Sequence, residues 1–302
     1  MDLTAALETD ETDQPQCPSR QRLVFTHALA HLLVNKTRIP KRTSIAKWLS
    51  TRLLPDVHGR IQCPTIYDFD LFLDYGESAS VYRYGFYEPG TLDVMRKLLR
   101  PGDVFVDAGA SVGMMSLYAS TLVGKTGRVL SFEPLPLRHR LLTDSIAVNG
   151  LTNIKTFNHG LGVDSRATTI FTDRTSPSMI EQAGSTDGSP SRVERLDAVL
   201  QAEGADRVRM IKIDVEGFEL EVLKGCETIL HGPAPPAICV EYGVYDGSGK
   251  ALTDFLRSLD GYRLYQLTKT KGLVSPLALV SGGEFVAGDN IFAIPAAMAD
   301  DL

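Results

Sequence analysis

The sequence predicts an α/β fold built on a seven-stranded, mostly parallel sheet that ends in an antiparallel hairpin. Three observations carry this. From about residue 84, short apolar runs alternate with segments of helical period, the pattern of a parallel sheet flanked by helices. A glycine-rich turn, Gly109 to Gly113, joins the first such run to a helical segment. The last two runs have no helical segment between them.

The predicted strands are VFVDAG (104–109), RVLSFE (128–133), NIKTFN (153–158), RMIKID (209–214), AICVEY (237–242), YRLYQLT (262–268) and NIFAIP (290–295). Between them lie amphipathic stripes. Met114, Leu117, Tyr118, Thr121 and Leu122 share one helical face, as do Leu137, Leu141, Leu142 and Ile146, and again Val222, Leu223, Cys226, Ile229 and Leu230. A helix is expected over 250–259, and the final two strands should pair through a glycine-containing loop at 270–288. Upstream, residues 1–19 carry only acidic charge and read as a disordered tail. Residues 20–83 form a basic helical arm, with helices near 20–34 and 44–54 bounded by Pro40 and Pro55, and the main domain occupies 84–302. The arm could meet an anionic substrate or lipid; the plainer reading, two helices with solvated basic faces, is preferred.

Composition narrows the class. Hydrophobic residues make up 43% and charged residues 23%, ordinary for a globular protein. A net charge of −6 argues against nucleic acid as a general partner. No apolar run of about 18 residues predicts a transmembrane segment, and the N-terminus lacks a secretory layout, so a cytoplasmic protein is expected. Cys17, Cys63, Cys226 and Cys239 are scattered, without metal-ligand spacing.

Chemistry concentrates at three strand ends. In VFVDAGASVG, Gly109 and Gly113 let backbone approach a ligand, and the following helix presents unpaired N–H groups. A dinucleotide would need G-x-G-x-x-G. Here the loop reads Asp-x-Gly-x-Ser-x-Gly, and the acid at Asp107 favours the ammonium-bearing end of S-adenosylmethionine. Glu133, ending the second strand, is placed to accept both ribose hydroxyls of an adenosine cofactor. Asp214 and Glu216, after the strand RMIKID, should lie beside the reacting group, with Glu241 facing the same cleft from the next strand. Glu219 and Glu221 are read as solvated. The stretch 172–192, rich in Ser, Thr, Gly and Pro, reads either as a lid over the cleft or as a plain insertion.

With those motifs in place, the sequence resembles the FkbM family of methyltransferases over about residues 84–295. The carriers are YGFYEPGT (84–91), VFVDAGASVG, SFEPLP (131–136), KIDVEGFELEVLKG (212–225) and VEY (240–242). The resemblance implies a Rossmann-like fold and methyl transfer from S-adenosylmethionine to a hydroxyl, with a small-molecule or carbohydrate acceptor. It implies that Asp107, Gly109, Ser111 and Gly113 line the methionine end of the cofactor and Glu133 its ribose. His159 and Gly160 of NHGLG would border the adenine, and Glu88 would close over the cofactor. The family usually has asparagine where this chain has Ser111; serine still donates and accepts a hydrogen bond. Asp214 or Glu216 is expected to act as base, His159 being a less favoured one, or the two acids to hold a divalent metal ion. An NAD-dependent oxidoreductase and a catalytically idle cofactor-binding domain remain the competing readings. The acceptor and the oligomeric state stay open.

Overall fold

The protein is described by a computed structural model covering residues 17–36, 39–57, 59–74, 79–172, 177–178, 188–205, 207–243 and 248–302. The chain divides into two compact units, residues 1–87 and Glu88–Leu302.

In the first unit, α1 (Arg20–His31) is opened by Ser19, whose hydroxyl accepts the Arg22 N–H at 3.3 Å. It buries Leu23, Thr26, His27 and Ala30, the i, i+3, i+4, i+7 stripe of one helical face. A π-helical turn (Leu32–Lys36) follows, then α2 (Arg42–Leu53). The sequence suggested helices alone here. The unit also holds an antiparallel pair, β1 (Arg60–Pro64) and β2 (Asp70–Asp74), and a short α3 (Ala79–Tyr84). The pair was missed because its alternation is short: Ile61 and Cys63 face inward while Arg60 and Gln62 do not. His27 is buried and its Nε2 lies 2.8 Å from the Tyr82 carbonyl; burial lowers its pKa.

The second unit runs α4 (Pro89–Leu98), β3 (Val104–Ala108), α5 (Met114–Val123), β4 (Arg128–Phe132), α6 (Pro136–Val148) and β5 (Ile154–Phe157). Then come β6 (Gly160–Leu161), β7 (Arg166–Thr172), β8 (Pro177–Ser178), β9 (Gly188–Glu194) and α7 (Leu196–Ala202). The rest is β10 (Val208–Ile213), α8 (Glu219–Lys224), α9 (Glu227–Leu230), β11 (Ala237–Tyr242), α10 (Ser248–Ser258), β12 (Tyr262–Leu267), β13 (Leu277–Leu279) and β14 (Asp289–Pro295).

The main sheet has the order β13-β12-β14-β11-β10-β3-β4-β5. Strands β5, β4, β3, β10 and β11 are parallel, and β14 inserts antiparallel between β11 and β12. This is the Rossmann-like arrangement, with the predicted strands in place. It differs in one strand: β13, inside the expected loop, pairs with β12 and makes the sheet eight-stranded. Helices α4 and α7 were also not anticipated, and the stripe at 222–230 is broken into α8 and α9 at Gly225–Cys226. A Cβ on Gly225 would lie 2.1 Å from the Gly162 carbonyl oxygen, so backbone passes close at that break.

Val106, Leu130, Ile211, Ile213, Ile238 and Val240 on the strands pack against Leu196, Leu200, Val222, Leu223, Leu252 and Leu256 on the helices. Each such side chain contributes about 2 kcal/mol by leaving water. This core fixes the strand ends and so fixes the site. A second sheet, ordered β6-β9-β7-β8, holds Gly160 and Leu161 against Val193 and Glu194. Part of the expected lid therefore forms sheet; its residues 173–176 and 179–187 lie outside those described. The expected acidic tail also lies outside them up to residue 16. No helix among the described residues is long and apolar enough to cross a membrane.

Candidate functional site

The carboxyl ends of β3, β4 and β10 frame an open cleft lined by Gly109, Glu133, Leu135, Ile170, Asp214 and Glu216 among others.

Its floor is the turn after β3. Gly109 adopts φ +86°, and its N–H donates to the Phe132 carbonyl at 3.0 Å; Ala110 donates to the same oxygen at 2.9 Å. A Cβ at Gly109 would sit 1.8 Å from the Asp214 carbonyl oxygen. The chain is therefore pressed onto the end of β10 as closely as backbone allows. Ser111 is left-handed at φ 48° and donates its N–H to Glu133 Oε2 at 2.8 Å. Asparagine tolerates that backbone region better than serine does, a physical reason why asparagine suits this position. Gly113 (φ +99°) closes the turn and opens α5.

Glu133 is buried and accepts the Leu135 N–H on Oε1 at 2.9 Å as well as the Ser111 N–H on Oε2. Burial raises its carboxyl to about 7, against the lowering effect of those N–H groups and Arg138. Each oxygen keeps a second lone pair for a ligand. Asn158 Nδ2 donates to the Glu133 carbonyl at 2.9 Å, tying the ends of β4 and β5 together.

Three predicted contacts are placed elsewhere. Asp107 is 1% exposed and lies beneath the loop, not on the cleft wall; Oδ2 accepts the Ser116 hydroxyl at 2.5 Å, and Ser116 Oγ is 2.7 Å from Ser131 Oγ. Burial raises its pKa to about 6. The periodicity that puts Phe105 and Asp107 on one face of a strand covered on both sides could have signalled this. His159 is also buried, edge-on to Phe132 and Phe157 at 5.5 and 5.6 Å; its neighbours Gly160 and Leu161 reach the cleft instead. Glu88 does not close over the cleft. It opens α4 at φ 42° and is held by Thr91 Oγ1 (3.0 Å) and Asn290 Nδ2 (2.8 Å).

Glu88 belongs to a charged cluster on the other side of Asp214. Lys212 Nζ donates to Asp214 Oδ2 at 2.8 Å, and Lys271 Nζ lies 2.5 Å from Glu241 Oε1 and 2.9 Å from Glu88 Oε1. Burial would raise the Asp214 carboxyl, but Lys212, a hydrogen bond with Glu241 and Lys271 outweigh it and hold it at about 2. Glu241 goes the other way, to about 7, through burial and the charge of Asp214. Beside the charged Asp214, Glu241 therefore holds a proton more readily than a free carboxyl does. Among the described residues, Glu88, Asp214 and Glu241 are the acids close enough to share a cation, with oxygens within 4.8 Å. Glu216, expected to join Asp214 in holding a metal, is not of that group. It stands in the turn at φ 53° and lines the cleft. Three of the non-glycine residues with left-handed backbone, Glu88, Ser111 and Glu216, thus stand around the carboxyl ends of these strands, where strain of about 1–3 kcal/mol each is retained.

Lys212, Lys271, Thr91 and Asn290 were not found by sequence reading. For Lys212 a signal existed, an ammonium inside an otherwise apolar strand run. Glu219, read as solvated, is buried and accepts the N–H groups of Gly217 (2.9 Å) and Val215 (3.3 Å), holding the turn that carries Glu216. Lys212→Met leaves Asp214 without its buried cation. The expected loss is about 3–4 kcal/mol in urea unfolding, the lower part of the range for breaking buried pairs because Asp214 keeps some contact with water. A loss under about 1 kcal/mol would show that water alone can carry the Asp214 charge.

Residues 107–265 match the family described as the methyltransferase FkbM domain. Methyltransferase sdnD of Sordaria araneosa is 28% identical over 155 residues, covering 40% of this chain and 60% of that protein. Methyltransferase 1 of Beauveria bassiana is 27% identical over 150 residues, 42% of this chain and 60% of that protein. The match thus spans about 60% of the length of these curated relatives. A solved O-methyltransferase from Thermotoga maritima superposes with a TM-score of 0.42 at 12% identity, over 78% of this chain and 91% of that one, a likeness too remote to bear on function.

Proposed function

Since this chain belongs to the FkbM methyltransferase family, we propose that it is an S-adenosylmethionine-dependent O-methyltransferase acting on a hydroxyl of a sugar or small metabolite. One observation carries the reading: a glycine-floored cleft ending at Glu133 meets, at Asp214, a cluster of charged side chains.

The residues fit the cofactor. Gly109 lets the loop lie directly against the end of β10 and line the cleft with backbone, and Glu133 retains lone pairs on both oxygens for a ribose diol. S-adenosylmethionine, when bound, supplies a methyl group already activated on a sulfonium sulfur. The protein then has to orient an oxygen, exclude water and take up a proton. Asp214 is the carboxylate that touches both cleft and cluster; it would accept the hydroxyl's hydrogen bond and orient it, while the proton passes to Glu241, the more basic carboxyl of the pair. Lys212 holds Asp214 in place. Asp107 supports the loop from below through Ser116 rather than touching the ligand. Glu216 would face the cofactor from the cleft wall.

Calorimetry with S-adenosylhomocysteine and with NAD tests the reading. Binding of the former alone is expected; binding of NAD alone would move the chain to the oxidoreductases. Asp214→Asn should keep S-adenosylhomocysteine affinity within a few-fold while turnover on an accepted hydroxyl substrate drops about a hundredfold. Unchanged turnover would remove Asp214 from the chemistry.

A further inference from the structure

Three acids at ligand spacing would ordinarily mark a divalent-cation site. Here each already holds an ammonium group. Lys271 Nζ is 2.5 Å from Glu241 and 2.9 Å from Glu88, and Lys212 Nζ is 2.8 Å from Asp214. Two lysines against three carboxylates leave the cluster with at most one net negative charge. A divalent ion added to it would bring uncompensated positive charge into a half-buried place, at a high electrostatic cost.

Lys271 is also a positioned residue. Its N–H donates to Asp289 Oδ1 at 2.7 Å, and its carbonyl accepts the Gly90 N–H at 3.1 Å, so its backbone is clamped on both sides. Exposure is graded across the cluster. The side chains of Lys212 and Glu88 are each 2% exposed, those of Glu241 and Lys271 16% and 17%, and that of Asp214 22%. A ligand arriving from outside therefore meets Lys271, Glu241 and Asp214. One buried acceptor of the same cluster, Asn290 Oδ1, makes no hydrogen bond, and Glu88 Oε1 has Lys271 as its partner. The ammonium of Lys271 has three N–H groups and two carboxylate partners.

We propose that Lys271 stands where a divalent ion would otherwise sit and receives the acceptor hydroxyl, so that the site takes a neutral, hydroxyl-rich acceptor and no metal. This rests on the methyltransferase reading for its chemistry, but not for its charge arrangement. A hydroxyl matches the cluster because it accepts from the Lys271 N–H and donates to a carboxylate or amide oxygen. An ionised phosphate or carboxylate has no proton to give and would set a further negative charge beside Asp214 and Glu241, whose ammonium partners are already engaged.

The test is Mn²⁺ titration of the full chain, followed by the spectrum of the free ion, with S-adenosylhomocysteine binding measured alongside. Wild type should show no saturable Mn²⁺ site below millimolar concentration. Lys271→Met should bind Mn²⁺ at least tenfold more tightly, and the gain should vanish when Glu241→Gln is added. Micromolar Mn²⁺ binding by wild type that Glu241→Gln abolishes would overturn the proposal. So would a folded Lys271→Met that stays blind to the ion. If Lys271→Met does not fold, the wild-type titration decides. Failure to bind S-adenosylhomocysteine with the expected Mn²⁺ pattern would sink the methyltransferase reading while leaving the role of Lys271 as the cation in place.

Discussion

Gly109→Ala should lower the melting temperature by roughly 10 °C and abolish cofactor binding. The added Cβ lies 1.8 Å from the Asp214 carbonyl oxygen and 2.8 Å from its carbon, both backbone atoms that no rotamer change can move. Relief requires prising apart the ends of β3 and β10, which the Asp214 N–H to Ala108 carbonyl bond holds at 2.9 Å. A positive φ adds a further cost of about 1 kcal/mol for any residue with a Cβ. Together these reach the exceptional range of about 4 kcal/mol, and at about 2–4 °C per kcal/mol for a unit of this size the shift follows. Gly150→Ala is the control: φ is +62° but a Cβ there meets nothing within 4 Å, so only the conformational cost applies. Thermal scans that gave the two variants equal shifts would contradict the close-approach account.

Glu133→Ala should weaken S-adenosylhomocysteine binding by roughly a thousandfold. It strands the Ser111 and Leu135 N–H groups, at about 1–3 kcal/mol each, and removes the acceptor for the ribose. The same carboxyl should make binding pH-dependent. Its folded pKa, about 7, lies above the unfolded value of 4.5 because burial dominates. The folded protein therefore holds the extra proton between those values. Its contribution to stability is fully present below about 4.5 and is lost as pH rises through about 7. Ribose hydroxyls favour the charged form, so binding near pH 6.5 should release part of a proton and tighten as pH rises. Calorimetry in two buffers of different ionisation enthalpy reads that release. Glu133→Gln should remove it and flatten the stability slope between pH 5.5 and 7.5; an unchanged release would assign the proton to another group.

The strands were legible because those in the parallel part of the sheet are covered on both faces and read as unbroken apolar runs, while the glycine turn is dictated by backbone contact. Glu133 and Asp214 could be found because they follow such runs directly. Lys271 could not: it sits in an irregular stretch, and only the tertiary fold brings it to Glu88 and Glu241, far away in sequence. The burial of Asp107 beneath the loop escapes a motif for a related reason. A motif gives the residue type at a strand end but not which side of the pleat faces the ligand. The β1–β2 pair and the second sheet escaped because short strands of mixed polarity look like loops until their partners are known.

The second sheet also bears on how the chain tolerates change in length. The excursion between Gly162 and Glu194 begins and ends at one place: the Gly162 N–H donates to the Glu194 carbonyl at 3.0 Å, and Gly160 pairs with Val193. Closure of that segment is thus enforced at its base, whatever its contour. Doubling a flexible loop costs only about 0.6 kcal/mol in closure entropy. Residues can be gained or lost between β7 and β9 while the cleft wall at Gly160 and Leu161 stays where it is. The fold in this way ties the cleft wall at Gly160 and Leu161 to the base of the excursion and not to its length.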